Sequence, residues 1–195
     1  MSTKTKSGLL PILLAVGAVV AVTQTDIAQE VINSVDIEEK EADEVLVPPS
    51  FRGRVKECTP EQLTKDRRCK DLPVVPIDAE KMPYIARHIS VAWSTGQPAL
   101  LHYEVDLKAR ELKNRSVCTP ARLAELKPKS CDEYPFKSAK EGGPGASTQG
   151  VPTIEQNRQG GAVGRAYTVN RLQDGDAFLV VIINPGQIAT EEFEG

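Results

Sequence analysis

The clearest apolar run after residue 50 is Ala-Phe-Leu-Val-Val-Ile-Ile at 177–183. Seven apolar positions without alternation predict a strand covered on both faces. Residues 83–94 follow a different period: Ile85, Ile89 and Trp93 recur every four positions, with Ala86 and Ala92 beside them and Gly96 just beyond. That spacing predicts a helix with one apolar face. Residues 99–106 read as a strand, and residues 157–171 as a second helix in which Ala162, Val163, Ala166 and Tyr167 share a face despite three glycines. Thr59-Pro60 and Thr119-Pro120 each set a hydroxyl before a proline, the pattern that opens a short helix. A glycine-rich loop at 141–148 leads to a short strand at 149–154, and Gln173-Asp-Gly-Asp176 predicts a turn. Together these elements predict a small α+β domain.

A second apolar run fills residues 8–22, behind Lys4 and Lys6. At about 15 residues it is shorter than the ~20 that span a hydrocarbon core, so residues 1–23 read as a secretory signal peptide, with an uncleaved membrane anchor as the alternative. Residues 24–50 hold Asp26, Glu30, Asp36, Glu38, Glu39, Glu41, Asp43 and Glu44 against Lys40 alone. With few apolar positions they read as an acidic linker or propeptide ending at Pro48-Pro49-Ser50, which leaves 51–195 as the domain. The product is expected to be secreted and extracellular, and to touch a membrane only through its N-terminal segment if that is retained.

The 195 residues carry 24 basic and 27 acidic side chains, a net charge of −3. That total averages unlike parts, since residues 1–50 sum to about −5, 51–140 to about +6 and 141–195 to about −4. The basic middle block, with Arg67, Arg68, Lys70, Lys108 and Arg110 among its cations, suits a polyphosphate partner despite the acidic sum.

Four cysteines form two similar pairs. Cys58 and Cys118 each begin a Cys-Thr-Pro-x-x-Leu segment, and each is followed by basic residues and a second cysteine, Cys69 and Cys131. Of the three possible connectivities the repetition favours Cys58 with Cys69 and Cys118 with Cys131. Two such staples suit an exported small domain. Zinc is disfavoured because there is no Cys-x-x-Cys, and His88 and His102 stand at no zinc-module spacing from a cysteine. Both histidines read as core residues, His88 on the Ile85–Ile89 face and His102 in a strand.

Carboxylates and amides that prefer hard divalent cations cluster late in the chain: Asp132 and Glu133 beside Cys131, Glu141 on the glycine-rich loop, and Asn157 with Arg158 near a helix start. Three segments, Cys131-Asp-Glu-Tyr-Pro-Phe136, Glu141-Gly-Gly followed by Gly145-Ala-Ser147, and Gln156-Asn-Arg-Gln-Gly-Gly161, occur in that order. In that order they resemble the motifs of the NucA/NucB-type extracellular deoxyribonucleases, over roughly residues 80–183. The resemblance implies a compact ββα-metal site and a secreted, largely sequence-nonspecific, divalent-metal-dependent DNA endonuclease, within the small disulfide-stapled α+β domain read from the pattern and the cysteines. It implies Asp132 as general base, Asn157 as ligand to Mg²⁺ or Mn²⁺, and Glu141 as a second or water-mediated ligand. Arg158 would neutralise the scissile phosphate and Glu133 would orient the surrounding shell. The chain departs from the Bacillus-type members, having Ala139 where they carry a cysteine and Cys131 directly before Asp132. The acid that some members place before the asparagine is Gln156 here, so any such role is lost or moves to Glu155. DNA is the expected partner, with no small-molecule cofactor and a monomeric state. The competing reading is an exported, disulfide-stapled DNA-binding or toxin-like module without nuclease activity.

Overall fold

A computed structural model describes residues 45–195. The signal or anchor segment at 1–23 and the acidic stretch up to residue 44 lie outside the described residues. Among the described residues seven strands and five α-helices follow in chain order: β1 (Val45–Leu46), α1 (Pro49–Val55), β2 (Arg68–Cys69), β3 (Leu72–Asp78), α2 (Pro83–Ser94), β4 (Leu100–His102), α3 (Leu107–Val117), α4 (Pro120–Leu126), β5 (Ser130–Tyr134), β6 (Ser147–Val151), α5 (Thr153–Asn170) and β7 (Ala177–Ile183).

β7 is the centre of a mixed sheet. It runs parallel to β3, with Val74 opposite Leu179 and Asp78 opposite Ile183, and its other edge is shared by antiparallel β4 and β1. Its side chains alternate between two cores. Phe178, Val180 and Ile182 pack with Ile85, Ile89, Val163 and Tyr167, whereas Leu179, Val181 and Ile183 pack with Val55, Leu63 and Cys69. The unbroken apolar run is thus covered on both faces, as its pattern predicts. Because Val45 and Leu46 pair with Ile183 and Ile182, the fold takes in residues that the charge pattern assigns to the acidic linker; it begins before Pro48-Pro49-Ser50.

β3 escapes pattern reading because Pro73 and Pro76 interrupt it, and proline normally argues against an interior strand. Here Ala79 N–H bonds Ile183 O and Val74 N–H bonds Arg67 O, so the nitrogen of Pro76 points to the β2 side. β2 reaches only as far as Pro73, and no ladder bond is lost. The predicted strand at 99–106 stops at His102; Asp106 instead caps α3, its carboxylate accepting from the N–H groups of Lys108 and Ala109. α3 buries no residue, so it carries no apolar period to be read.

Both expected disulfides are present, Cys58–Cys69 and Cys118–Cys131. The first closes the edge of the second core. The second joins the end of α3 to β5 and, with Leu126, holds α4 against that strand. Thr59 and Gln62 form a reciprocal capping box, Thr59 N–H to Gln62 Oε1 and Gln62 N–H to Thr59 Oγ1, but the turn that follows (Gln62–Asp66) is a single π-helical one, ended by Arg67 in the left-handed region.

Candidate active site

β5 and β6 form an antiparallel pair, Ser130 opposite Val151 through Tyr134 opposite Ser147, and α5 follows after Pro152. This strand–strand–helix unit packs against α2, and the candidate residues divide according to its geometry.

Side chains alternate across a strand, so Asp132 and Glu133 leave β5 on opposite faces. Asp132 shares a face with Tyr134, whose hydroxyl accepts from Trp93 Nε1 and donates to Pro98 O. On that face Asp132 is fully buried and its Oδ2 lies 2.6 Å from His88 Nδ1. His88 Nε2 is 2.9 Å from Ser147 Oγ across the hairpin. His88 is thus buried, as its apolar neighbours suggest, but its partner is a carboxylate rather than the core. Glu133 shares the other face with Cys131 and lies against the disulfide, 3.7 Å from Cys118 Sγ. Burial, followed by the charge of Asp132, pushes the Glu133 carboxyl up to about 7, against the opposing pull of Lys137 and Asn114.

The wall facing Asp132 comes from α5. Glu155 and Gln159 are buried one turn apart. Glu155 Oε2 accepts the N–H groups of Tyr84 and Ile85 at 3.0 and 3.1 Å, capping α2, which has no side-chain cap of its own, and Oε1 accepts none among the described residues. The Glu155 carboxyl is raised by burial, with the negative charge of Asp132 adding to it and the two N–H groups and Arg158 opposing.

Unsatisfied polar atoms collect here. Asp132 Oδ1, Gln149 Nε2, Gln156 Oε1 and Gln159 Nε2 are buried without a hydrogen-bond partner. Gln149 sits opposite Asp132 in the strand register, and Gln156 Nε2 reaches Gln159 Oε1 at 3.3 Å. Buried polar atoms are normally paired, so an orphan carboxylate oxygen together with three orphan amide atoms on β6 and α5 marks a place suited to water or an ion. Among the described residues no group of three or more His, Cys, Asp or Glu side chains is arranged to hold a metal. The oxygens present, Asp132 Oδ1, Glu155 Oε1 and Gln156 Oε1, nonetheless fit a hard cation that keeps most of its waters.

The other anticipated site residues lie elsewhere. Asn157 is exposed, about 200° around the helix from Glu155, and does not face Asp132. Arg158 is exposed and donates from Nη1 to Lys81 O at 2.8 Å. Glu141 is held by His102, Oε1 lying 2.6 Å from Nδ1 and Oε2 accepting the His102 N–H at 3.0 Å. His102 is therefore not the core residue its strand position suggests; at the end of β4 it is half exposed and fastens the glycine-rich loop. In that loop a side chain on Gly142 would meet Phe136 O at 2.2 Å, and Gly143 has a φ of +98° against the stem of Lys113. The Glu-Gly-Gly segment is accounted for by this packing.

A search of curated proteins finds no match to the chain. The family model for deoxyribonuclease NucA/NucB matches residues 90–181, a span that contains the whole β5–β6–α5 unit with Asp132 and Glu155. Residues 90–181 are thus similar to the NucA/NucB deoxyribonucleases, the family that the ordered motifs resemble.

Proposed function

We propose that the domain is an exported, divalent-metal-dependent DNA endonuclease that hydrolyses phosphodiester bonds with little sequence preference, and that Asp132 is its general base. The observation that carries this reading is the unpaired, buried Oδ1 of Asp132 within the strand–strand–helix unit. His88 holds Oδ2 and fixes the carboxylate, so that Oδ1 is the atom left to accept a proton. An ordinary aspartate, with a pKa of ~3.9, is a weak base at neutral pH. Mg²⁺ or Mn²⁺, when bound, supplies the missing activation by acidifying water and neutralising phosphate charge.

Glu155 and Gln156 are the α5 residues that would hold the ion, in place of Asn157 and Glu141. Glu155 Oε1 accepts no hydrogen bond among the described residues, and the mutual repulsion of Glu155 and Asp132 is the kind that a cation relieves. Glu133, behind the hairpin, supports β5 from the disulfide side. The two disulfides and the N-terminal apolar run support export to an oxidising compartment.

Nicking of supercoiled plasmid across a Mg²⁺ and Mn²⁺ titration tests the proposal. Wild type nicks with either ion and stops in EDTA, while Asp132→Ala loses activity by at least ~100-fold. Full activity in that variant removes Asp132 as base; activity in EDTA removes the metal. Retention of DNA without nicking by the wild type favours the binding-module reading.

A further inference from the structure

A second feature lies on a different face of α5. Arg158, Gly161, Ala162 and Arg165 fall at helical spacing of three and four along one stripe, and they line a cavity of about 400 Å³. Its walls add Arg67 and Lys81, and its one carboxylate is Asp78. That carboxylate is already engaged, by Lys81 and by Asn184 Nδ2 at 2.8 Å. The lining is therefore four cations to one satisfied anion.

Arg67 is held in place for a purpose its own contacts do not exhaust. Its backbone is left-handed (φ 50°), Nη1 donates to Ala162 O at 2.8 Å, and Nε is buried with no partner. Arg165 lines the same cavity, and burial together with its charge lowers the Arg67 pKa. Arg165 has no ion-pair or hydrogen-bond partner among the described residues. At Gly161 a side chain would meet nothing within 4 Å, so the floor between the arginines is open. Uncompensated guanidiniums around an open floor suit a tetrahedral dianion or monoanion with several acceptor oxygens.

The cavity shares helix α5 with the candidate active site. Arg158 ties it to Lys81 O, and α2 runs from beside Lys81 to His88, a helical distance on the order of 8 Å. At ~3.4 Å of axial rise per nucleotide this is a separation of a few nucleotides.

The geometry points to a phosphate subsite: the groove of Arg67, Lys81, Arg158 and Arg165 grips a backbone phosphodiester of the bound DNA strand, a few nucleotides from the bond being cut. The assignment rests on the nuclease reading above for its substrate. Arg158 then serves a flanking phosphate rather than the scissile one, and positions the strand over Asp132.

The experiment measures binding without turnover. A fluorescein-labelled 20-base-pair duplex is titrated with full-length protein in EDTA, across a salt series, for wild type, Arg165→Gln, Arg165→Glu and Lys127→Gln. Lys127 is exposed on the far end of α4 and removes the same unit of charge. Arg165→Gln is expected to weaken binding by about 3–10-fold and to lower the slope of log K against log salt by about 1. Arg165→Glu weakens it by more than ~10-fold, and Lys127→Gln by less than ~2-fold. Unchanged binding in both Arg165 variants, or equal losses in Arg165→Gln and Lys127→Gln, overturns the subsite. Inorganic phosphate at matched ionic strength competes with the duplex more effectively in wild type than in Arg165→Gln if the groove holds a DNA phosphodiester; equal competition in the two proteins overturns the subsite. Thermal melts of the Arg165 variants matching wild type confirm that binding, not folding, is read. Plasmid nicking by the wild type is scored separately, so failure of the nuclease reading is distinguishable from failure of the groove.

Discussion

His88 Nδ1 lies 2.6 Å from Asp132 Oδ2, and both side chains are buried between α2 and the β5–β6 pair. The contact joins a helix residue to a strand residue 44 positions away, and it leaves a single carboxylate oxygen without a partner.

Replacing His88 by alanine is expected to act twice. It leaves a buried carboxylate unpaired, at a cost of about 3–5 kcal/mol in stability, and it frees Asp132 to rotate. Nicking falls by roughly 10–100-fold, mostly in kcat, with a displaced pH profile. His88→Gln, which keeps a donor, recovers part of both; equal losses of stability and activity in the two variants would show the contact to be structural only. Chemical denaturation and single-turnover kinetics supply the two readings.

Glu155 and Asn157 separate two views of the ion. Glu155→Gln retains an acceptor for the Tyr84 and Ile85 N–H groups but loses the charge, so stability holds within ~1 kcal/mol while the metal concentration for half-maximal nicking rises about 10-fold or more. Asn157→Ala, on the exposed side of α5, shifts that concentration by less than ~2-fold. The reverse ranking in a metal titration returns the ligand role to Asn157.

Glu133 gives the metal-free protein a pH-dependent instability. Its folded carboxyl is raised from 4.5 to about 7 by burial and by Asp132, so the folded state binds the proton more tightly than the unfolded one. The associated stability is fully present below the unfolded pKa, declines as pH rises from about 4.5 through about 7, and is absent above. The difference amounts to roughly 3 kcal/mol. In EDTA, Glu133→Gln is therefore more stable than wild type by about 2–3 kcal/mol at pH 8 and nearly matched at pH 4.5. Urea melts at the two pH values check this, and a constant difference between them refutes it.

Gly142→Ala is expected to disrupt the loop that carries Glu141. The added carbon meets a backbone oxygen, Phe136 O, at 2.2 Å, and backbone cannot move aside as a flexible side chain would. A loss above ~2 kcal/mol is expected, against little effect for Gly160→Ala, where the added carbon meets nothing. Thermal denaturation of the two variants makes the comparison.

Local rules in the amino-acid order determined a good deal. The run at 177–183 determined a strand with two buried faces, the four-residue spacing of Ile85, Ile89 and Trp93 determined α2, and the repeated Cys-Thr-Pro segments determined the disulfide pairing. The ordered motifs pointed to the family whose model matches residues 90–181. The strand and the helix rest on neighbours within a turn or two of chain, where spacing alone sets which side chains share a face. The tertiary structure decided which of the marked residues meet. Strand alternation carried Asp132 and Glu133 to opposite faces; helix phase brought Glu155 and Gln156 inward and turned Asn157 out; a strand end set His102 on Glu141. The partnership of His88 with Asp132, and the gathering of Arg67 and Lys81 beside Arg158 and Arg165, depend on how α2 and α5 pack on the strands, a long-range outcome that no local period encodes.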